Sequence, residues 1–139
     1  SPRLMGQDKS TGKGLYRTWI SLRLANFRIG DFLSHHNRIL AVIDLRKKGV
    51  SVRDLETREV KNILWGEYED MDVVGRADDV KTTTVTSRSP GMIQILHPET
   101  FEPVDLEADS YTSTLDIGEQ VPVIEIDKRL YIIEDEAEE

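Results

Sequence analysis

The residues best suited to chemistry in this sequence are basic side chains and a pair of adjacent histidines in its first half. Residues 1–53 contain eleven Lys and Arg against three acids, whereas residues 54–139 contain seven against 23. Dense positive charge on one side of a domain suits contact with nucleic-acid phosphates. The candidate RNA-binding residues are Arg17, Trp19, Arg23, Arg28, His35, His36, Arg38, Arg46, Lys47, Lys48 and Arg53.

Two parts of this basic set have a predictable local structure. Residues 15–24 alternate with period two, which predicts a strand whose outer face carries Arg17 and Trp19. The indole could stack on a base beside a phosphate contact. Arg46–Lys48 fall in a predicted turn that ends at Gly49, a residue able to take positive φ. The alternative is an ordinary solvated face, but the excess of bases favours contact with RNA.

His35 and His36 are predicted at the tip of a hairpin, between apolar residues 32–33 and 39–45. Adjacent residues on a strand point to opposite faces, which argues against one metal ion shared by both rings. The third histidine, His97, falls in a separate predicted turn. No metal site is therefore predicted, and exposed imidazoles at the tip would instead stack on or bond to RNA.

No residue set typical of a catalytic centre stands out. Cysteine is absent, which excludes a thiol nucleophile and thiolate zinc ligands. Residues 6–14, GQDKSTGKG, only resemble a phosphate-binding loop, because the spacing is wrong and Gly14 replaces the Ser or Thr that binds magnesium. The many acids fall in predicted turns and on outer strand faces. We therefore expect a non-enzymatic cytoplasmic protein with no cofactor, no membrane partner and no small-molecule substrate.

Short strands separated by turns predict an all-β fold of two small barrels joined by a short acidic linker. We expect a polar leader at 1–13, an SH3-like barrel at 14–66, an acidic linker at 67–79, an OB-like barrel at 80–134 and an acidic tail at 135–139. A second SH3-like barrel is the alternative for the last strand-rich segment, which is short for an OB-like barrel.

Two sequence patterns occur twice. The segment VSVRDLETRE at 50–59 resembles IQILHPETFE at 93–102, at a constant offset of 43 residues. Likewise, Ile29–Asp31 recurs in kind as Ile117–Glu119. Either two related modules or one strand–turn–strand device used twice would account for this repetition.

Four phrases carry a resemblance to a known family: TGKGLYRTWISLRL, FRIGDFL, KKGVSVRDLETRE and IQILHPETFEPVDL. Over residues 6–133 the chain resembles the C-terminal half of the archaeal relatives of the large-ribosomal-subunit export adaptor, nonsense-mediated-decay protein three. In that family a zinc-binding part with paired cysteines precedes an SH3-like and an OB-like barrel, a region similar to translation factor five A. Because this chain has no cysteine, the family's zinc would belong to an N-terminal part that is missing here, and we expect a fragment.

The resemblance implies a ribosome-associated adaptor with a role in subunit biogenesis or quality control, whose partners are large-subunit rRNA and ribosomal proteins. The acidic tail EDEAEE differs from the family's leucine-rich export signals, so the export role is not carried over. The acidic residues 54–139 suggest a second class of function. They would form a protein-interaction module that binds a basic ribosomal protein or a translation factor.

Overall fold

The structure, a computed structural model, describes residues 26–134. This range contains ten β-strands, which form two five-stranded antiparallel sheets, and three short 3-10 helices. The predicted all-β fold is therefore confirmed. The predicted strand at 15–24, the polar leader and the acidic tail lie outside the described residues. Within 26–134, no helix is long and apolar enough to cross a membrane.

The first sheet is an SH3-like module in the spatial order β4-β3-β2-β1-β5. Its strands are β1 (Phe32–His35), β2 (Arg38–Leu45), β3 (Gly49–Asp54), β4 (Val60–Leu64) and β5 (Met71–Gly75). A 3-10 helix, η1 (Trp65–Asp70), connects β4 to β5. The last strand therefore returns to lie beside the first, which curls the sheet into a half-barrel.

The second sheet is an OB-like module in the spatial order β10-β9-β6-β7-β8. Its strands are β6 (Lys81–Ser89), β7 (Met92–Leu96), β8 (Pro103–Glu107), β9 (Gln120–Ile126) and β10 (Arg129–Ile132), with the helix η3 (Thr112–Thr114) between β8 and β9. A three-strand meander followed by a fourth strand beside the first is a Greek key. This connection is that of the OB fold and distinguishes the module from a second SH3-like one.

The acidic linker is shorter than the predicted 67–79. Residues 71–75 form β5, which pairs with β1 so that His35 lies opposite Met71 and Leu33 opposite Val73. This strand was not predicted because its exposed Asp72 follows other acids and is typical of a linker, whereas Met71 is buried. The connection that remains is residues 76–80, which contain the helix η2 (Ala77–Asp79) and are still acidic.

The ET turn of each module has the same hydrogen bonds. Asp54 Oδ1 accepts the backbone N–H groups two and three residues further on, at 2.8 and 3.0 Å. His97 Nδ1 accepts the equivalent pair at 3.1 and 3.2 Å. Arg58 and Phe101 follow at the same position, with φ of 70° and 63°. The β-bulges of β2 and β6 are also equivalent.

The second repeated pattern is a turn that precedes a strand in both modules. Gly30 and Gly118 have φ of 98° and 92°, and each donates its N–H to a strand carbonyl, that of Val42 or Val85. These turns lead into β1 and β9, which lie beside the equivalent strands β2 and β6. The repetition therefore covers a whole module. In spatial order, β4-β3-β2-β1-β5 of the first sheet correspond to β8-β7-β6-β9-β10 of the second, although the chain connects these strands in a different sequence.

Each module has its own apolar core, and a third cluster joins them. Phe32 and Leu55 of the first module pack with Ile124 and Ile126 of the second, all of them buried. These positions lie on β1, just after β3, and on β9. Burial of such side chains stabilises by about 1.5–3 kcal/mol each, so the two modules form a continuous structure.

Gly49 is required by close packing rather than by its backbone angle, because its φ is not positive. A Cβ here would overlap the carbonyl oxygen of Ile63 on β4. We expect Gly49→Ala to lower the free energy of unfolding by about 2 kcal/mol, through separation of β3 from β4. Urea unfolding would measure this. Gly66→Ala is the control, since its Cβ would meet nothing within 4 Å, and equal midpoints for the two variants would contradict the packing argument.

Candidate nucleic-acid interface

The basic turn, defined as Arg46–Lys48, connects β2 to β3 at an open end of the SH3-like module. Arg46 donates its backbone N–H to the carbonyl of Gly49 at 2.8 Å, which closes the turn. All three basic side chains are exposed. Arg46 contacts Asp44 at 3.2 Å, whereas Lys47 and Lys48 form no ion pair with any residue in 26–134. The turn therefore presents at least two cations to solvent.

Trp65 anchors the basic turn from the core side. Its indole Nε1 donates to the carbonyl of Arg46 at 2.9 Å, and its backbone N–H donates to the carbonyl of Lys48 at 3.1 Å. The indole is buried and packs near the ring of Phe27, with centroids 5.9 Å apart. This role of Trp65 was not predicted from the sequence. A useful signal was available, because a buried indole N–H usually finds an acceptor.

Arg38 and Arg53 lie at the opposite end of the β2–β3 hairpin and are engaged by acids. Arg38 donates twice to the carboxylate of Asp54, at 2.8 and 2.9 Å. Arg53 is mostly buried, donates to the carbonyl of Arg58 at 2.9 Å and lies 3.5 Å from Glu134. The structure therefore does not place these two predicted RNA-binding residues with the basic turn.

The Asp54 carboxylate is the electrostatic centre of this opposite end. Burial by itself raises its pKa, but hydrogen bonds from Arg38 and from the N–H groups of Thr57 and Glu56 outweigh burial. The pKa of Asp54 is therefore lowered from its usual value, and that of the Arg38 guanidinium is raised by the same bond. This pair stays ionised at neutral pH and is structural.

The hairpin with the histidines at its tip is confirmed, but the two rings differ in environment. His35 is 6% exposed, and its Nε2 lies 2.9 Å from Glu67 Oε1. His36 is exposed in the turn itself, with φ of 49°. The prediction that the two rings point to opposite faces is wrong, because His36 is not on the strand and its ring stacks on that of His35, with centroids 3.9 Å apart. His35 is too buried to stack on a base.

Arg28 is exposed and precedes β1. Because β1 and β2 are antiparallel, the start of β1 lies beside the part of β2 that leads to the basic turn. Its backbone N–H donates to Asp31 at 2.8 Å. The buried Asp31 carboxylate also accepts a 2.7 Å hydrogen bond from Arg76. The side chain of Arg28 is thus available to a ligand, while its backbone is fixed. Arg17, Trp19 and Arg23 lie outside the described residues, so their placement stays a prediction.

The positive charge of the SH3-like module is concentrated at one place and is not spread over its surface. Residues 26–75 contain eight bases and nine acids. The acids missing from the first 53 residues occur later in the module, and four of them lie on η1 and β5, at Glu67, Glu69, Asp70 and Asp72. Among the described residues of this module, the basic turn is therefore where consecutive exposed bases are concentrated.

Comparison with known proteins bears on the fold. No protein-family model matches the chain, and no curated protein matches it. Among solved structures, it is similar to Eukaryotic translation initiation factor 5A from Methanococcus jannaschii, with a TM-score of 0.50 and 17% sequence identity. The similarity covers 77% of this chain and 86% of that one. At this identity the similarity shows the fold alone, and it agrees with an SH3-like module followed by an OB-like module.

Proposed function

We propose that this protein is a non-enzymatic adaptor module that binds the large ribosomal subunit, with the basic turn in contact with rRNA. The observation that carries the proposal is the exposure of three cations on a turn that Trp65 holds in place. The similarity in fold to a translation initiation factor and the sequence resemblance to a family of large-subunit adaptors support the same assignment. We infer a cytoplasmic role in subunit biogenesis or quality control.

The physical basis of binding is local charge on a preorganised turn. Lysine and arginine side chains that neutralise phosphates release condensed counterions, which drives association. Because the backbone of the basic turn is already fixed by Trp65, less conformational entropy is lost when RNA binds. The net charge of −8 opposes approach of RNA at long range and lowers the affinity. Because each phosphate contact releases counterions, binding should weaken as salt rises.

The triple change Arg46→Glu, Lys47→Glu and Lys48→Glu tests this proposal. We expect affinity for large subunits or their rRNA to fall by at least about tenfold at physiological ionic strength, because three phosphate contacts become repulsive. In the corresponding triple alanine variant, the slope of log affinity against log salt should fall by about one for each lost contact. Filter binding over a salt series would measure both quantities.

The matched control changes Lys61, Lys81 and Lys128 to Glu, which alters net charge by the same amount at other exposed positions. This control should retain clearly more affinity than the variant of the basic turn. If both variants lose affinity equally, binding depends only on total charge and the assignment of the turn is wrong.

The acidic OB-like module supports a second candidate function, the binding of a basic protein. Residues 76–134 contain twelve acids and five bases. On the edge strand β8, Asp105 and Glu107 are exposed on the outer side, while Val104 and Leu106 turn toward the core. Capture of ribosomal components before and after nuclease digestion separates the candidates. Proteins retained without rRNA favour this function, and loss of all components favours RNA contact.

A further inference from the structure

Three side chains with metal-binding atoms meet at the tip of the β1–β2 hairpin. His35 Nε2 lies 2.9 Å from Glu67 Oε1, and the rings of His35 and His36 stack with an interplanar angle of 23°. One ligand atom from each residue lies within 4.8 Å of the other two. Two imidazole nitrogens and one carboxylate oxygen are a donor set that zinc uses. We propose that His35, His36 and Glu67 bind one divalent zinc ion.

The local backbone explains why consecutive histidines share one site. His36 and Asn37 both have positive φ, 49° and 65°, as in the tight turn that joins two antiparallel strands. This turn brings the ring of His36 back over that of His35 instead of sending it to the opposite face. Glu67 comes from η1, between the buried Trp65 and Tyr68. Both supporting elements are therefore held by the core.

The buried ring of His35 is not satisfied by the described protein atoms. Its Nδ1 is buried and has no hydrogen-bond partner among residues 26–134. A histidine that served only the core would be expected to pair both ring nitrogens, because an unpaired buried polar atom is costly. The described protein atoms therefore hold this ring through Nε2 alone, and the unpaired Nδ1 points to a ligand that this ring binds when the site is filled.

The surrounding charge also suits a cation. Asp70 Oδ2 lies 3.7 Å from His36 Nε2, so a second carboxylate flanks the three proposed ligands. It could orient the His36 ring or complete the coordination of the ion. Since Glu67 and Asp70 belong to η1, a bound ion would tie the hairpin tip to this helix. The helix begins at Trp65, which anchors the basic turn.

Zinc titration of the whole chain tests the site. We expect one zinc ion per chain by calorimetry, a higher melting temperature with zinc, and a Co²⁺ absorption spectrum typical of nitrogen and oxygen ligands. His36→Asn keeps a residue that tolerates positive φ, and Glu67→Gln keeps a hydrogen-bonding group beside His35. Each change should weaken zinc binding at least tenfold, to judge from losses of about 10–100-fold on changes near metal ligands.

Two variants serve as matched controls. Glu69→Gln alters an exposed acid of the same helix and should leave zinc affinity unchanged. His97→Asp removes the remaining histidine, which lies 3.4 Å from Glu125 but has no second imidazole in its site. An aspartate there can cap the turn as Asp54 does in the other module. Absence of zinc binding, wild-type binding by both site variants, or its loss in His97→Asp would overturn the proposal.

Discussion

Asp54→Ala is expected to lower the free energy of unfolding by about 2–3 kcal/mol, because the half-exposed Arg38 guanidinium and two turn N–H groups lose their shared acceptor. The Asp54 side chain is 6% exposed and accepts two hydrogen bonds from Arg38 and two from turn N–H groups. Removal of the Asp54 carboxylate leaves the Arg38 guanidinium with its weaker contact to Glu56, at 3.2 Å. It also leaves two turn N–H groups without this acceptor. Urea unfolding followed by circular dichroism would measure the loss.

His97→Ala is the matched control for this change. It removes the equivalent acceptor of two turn N–H groups in the second module, but no ion pair with an arginine. We expect it to cost only about 1 kcal/mol, since ordinary hydrogen bonds contribute this much. An equal loss in both variants would show that turn capping, and not the ion pair with Arg38, stabilises this end of the first module.

The same ion pair makes stability depend on pH. The pKa of Asp54 and that of Asp109 are lower in the folded protein than the usual 3.8, despite burial that raises both, because hydrogen bonds and arginines stabilise the carboxylates. Their contribution is complete above the unfolded-state pKa and is lost as pH falls through the folded-state values. The melting temperature should therefore fall steeply below about pH 4, and less steeply in Asp54→Asn.

Local patterns were sufficient to predict the all-β fold and the hairpin formed by β1 and β2. The apolar residues 32–33 and 39–45 and the polar residues between them placed His35 and His36 at the tip of this hairpin, which is confirmed. The strand β5 was missed because Asp72 and its neighbours read as an acidic linker, although Met71, Val73 and Gly75 form its inner face. Burial of His35 was predictable from the same alternation, since it shares the inner face with Leu33.

The candidate interface was only partly predictable, because pairing over long sequence distances decides which bases are free. Arg46–Lys48 were correctly placed in an exposed turn by local pattern. Arg53 meets Glu134, and Arg38 meets Asp54, through contacts between the modules or across a hairpin that no local window contains. The anchoring of the basic turn by Trp65 depends likewise on the register of β3 and β4.

Arg58→Ala is expected to lower the free energy of unfolding by about 3 kcal/mol, because this side chain connects the two modules. The guanidinium is 8% exposed, and its Nε donates to Asp109 at 3.0 Å. It also donates to the carbonyl of Ile132 at 2.7 Å and lies 5.3 Å from the ring centroid of Tyr111. Urea unfolding would measure the loss and show whether the modules then unfold in separate transitions.

Phe101→Ala separates the role of the Arg58 side chain from that of its backbone. The two residues occupy the same position in equivalent turns, with φ of 70° and 63°, so alanine has the same conformational effect at each. Phe101 is 70% exposed, and we expect its removal to change stability by less than about 0.5 kcal/mol. If the two variants lost equal stability, the cost would come from the shared turn conformation. A loss confined to Arg58→Ala means that this copy of the turn couples the SH3-like and OB-like modules, a role that Phe101 does not have.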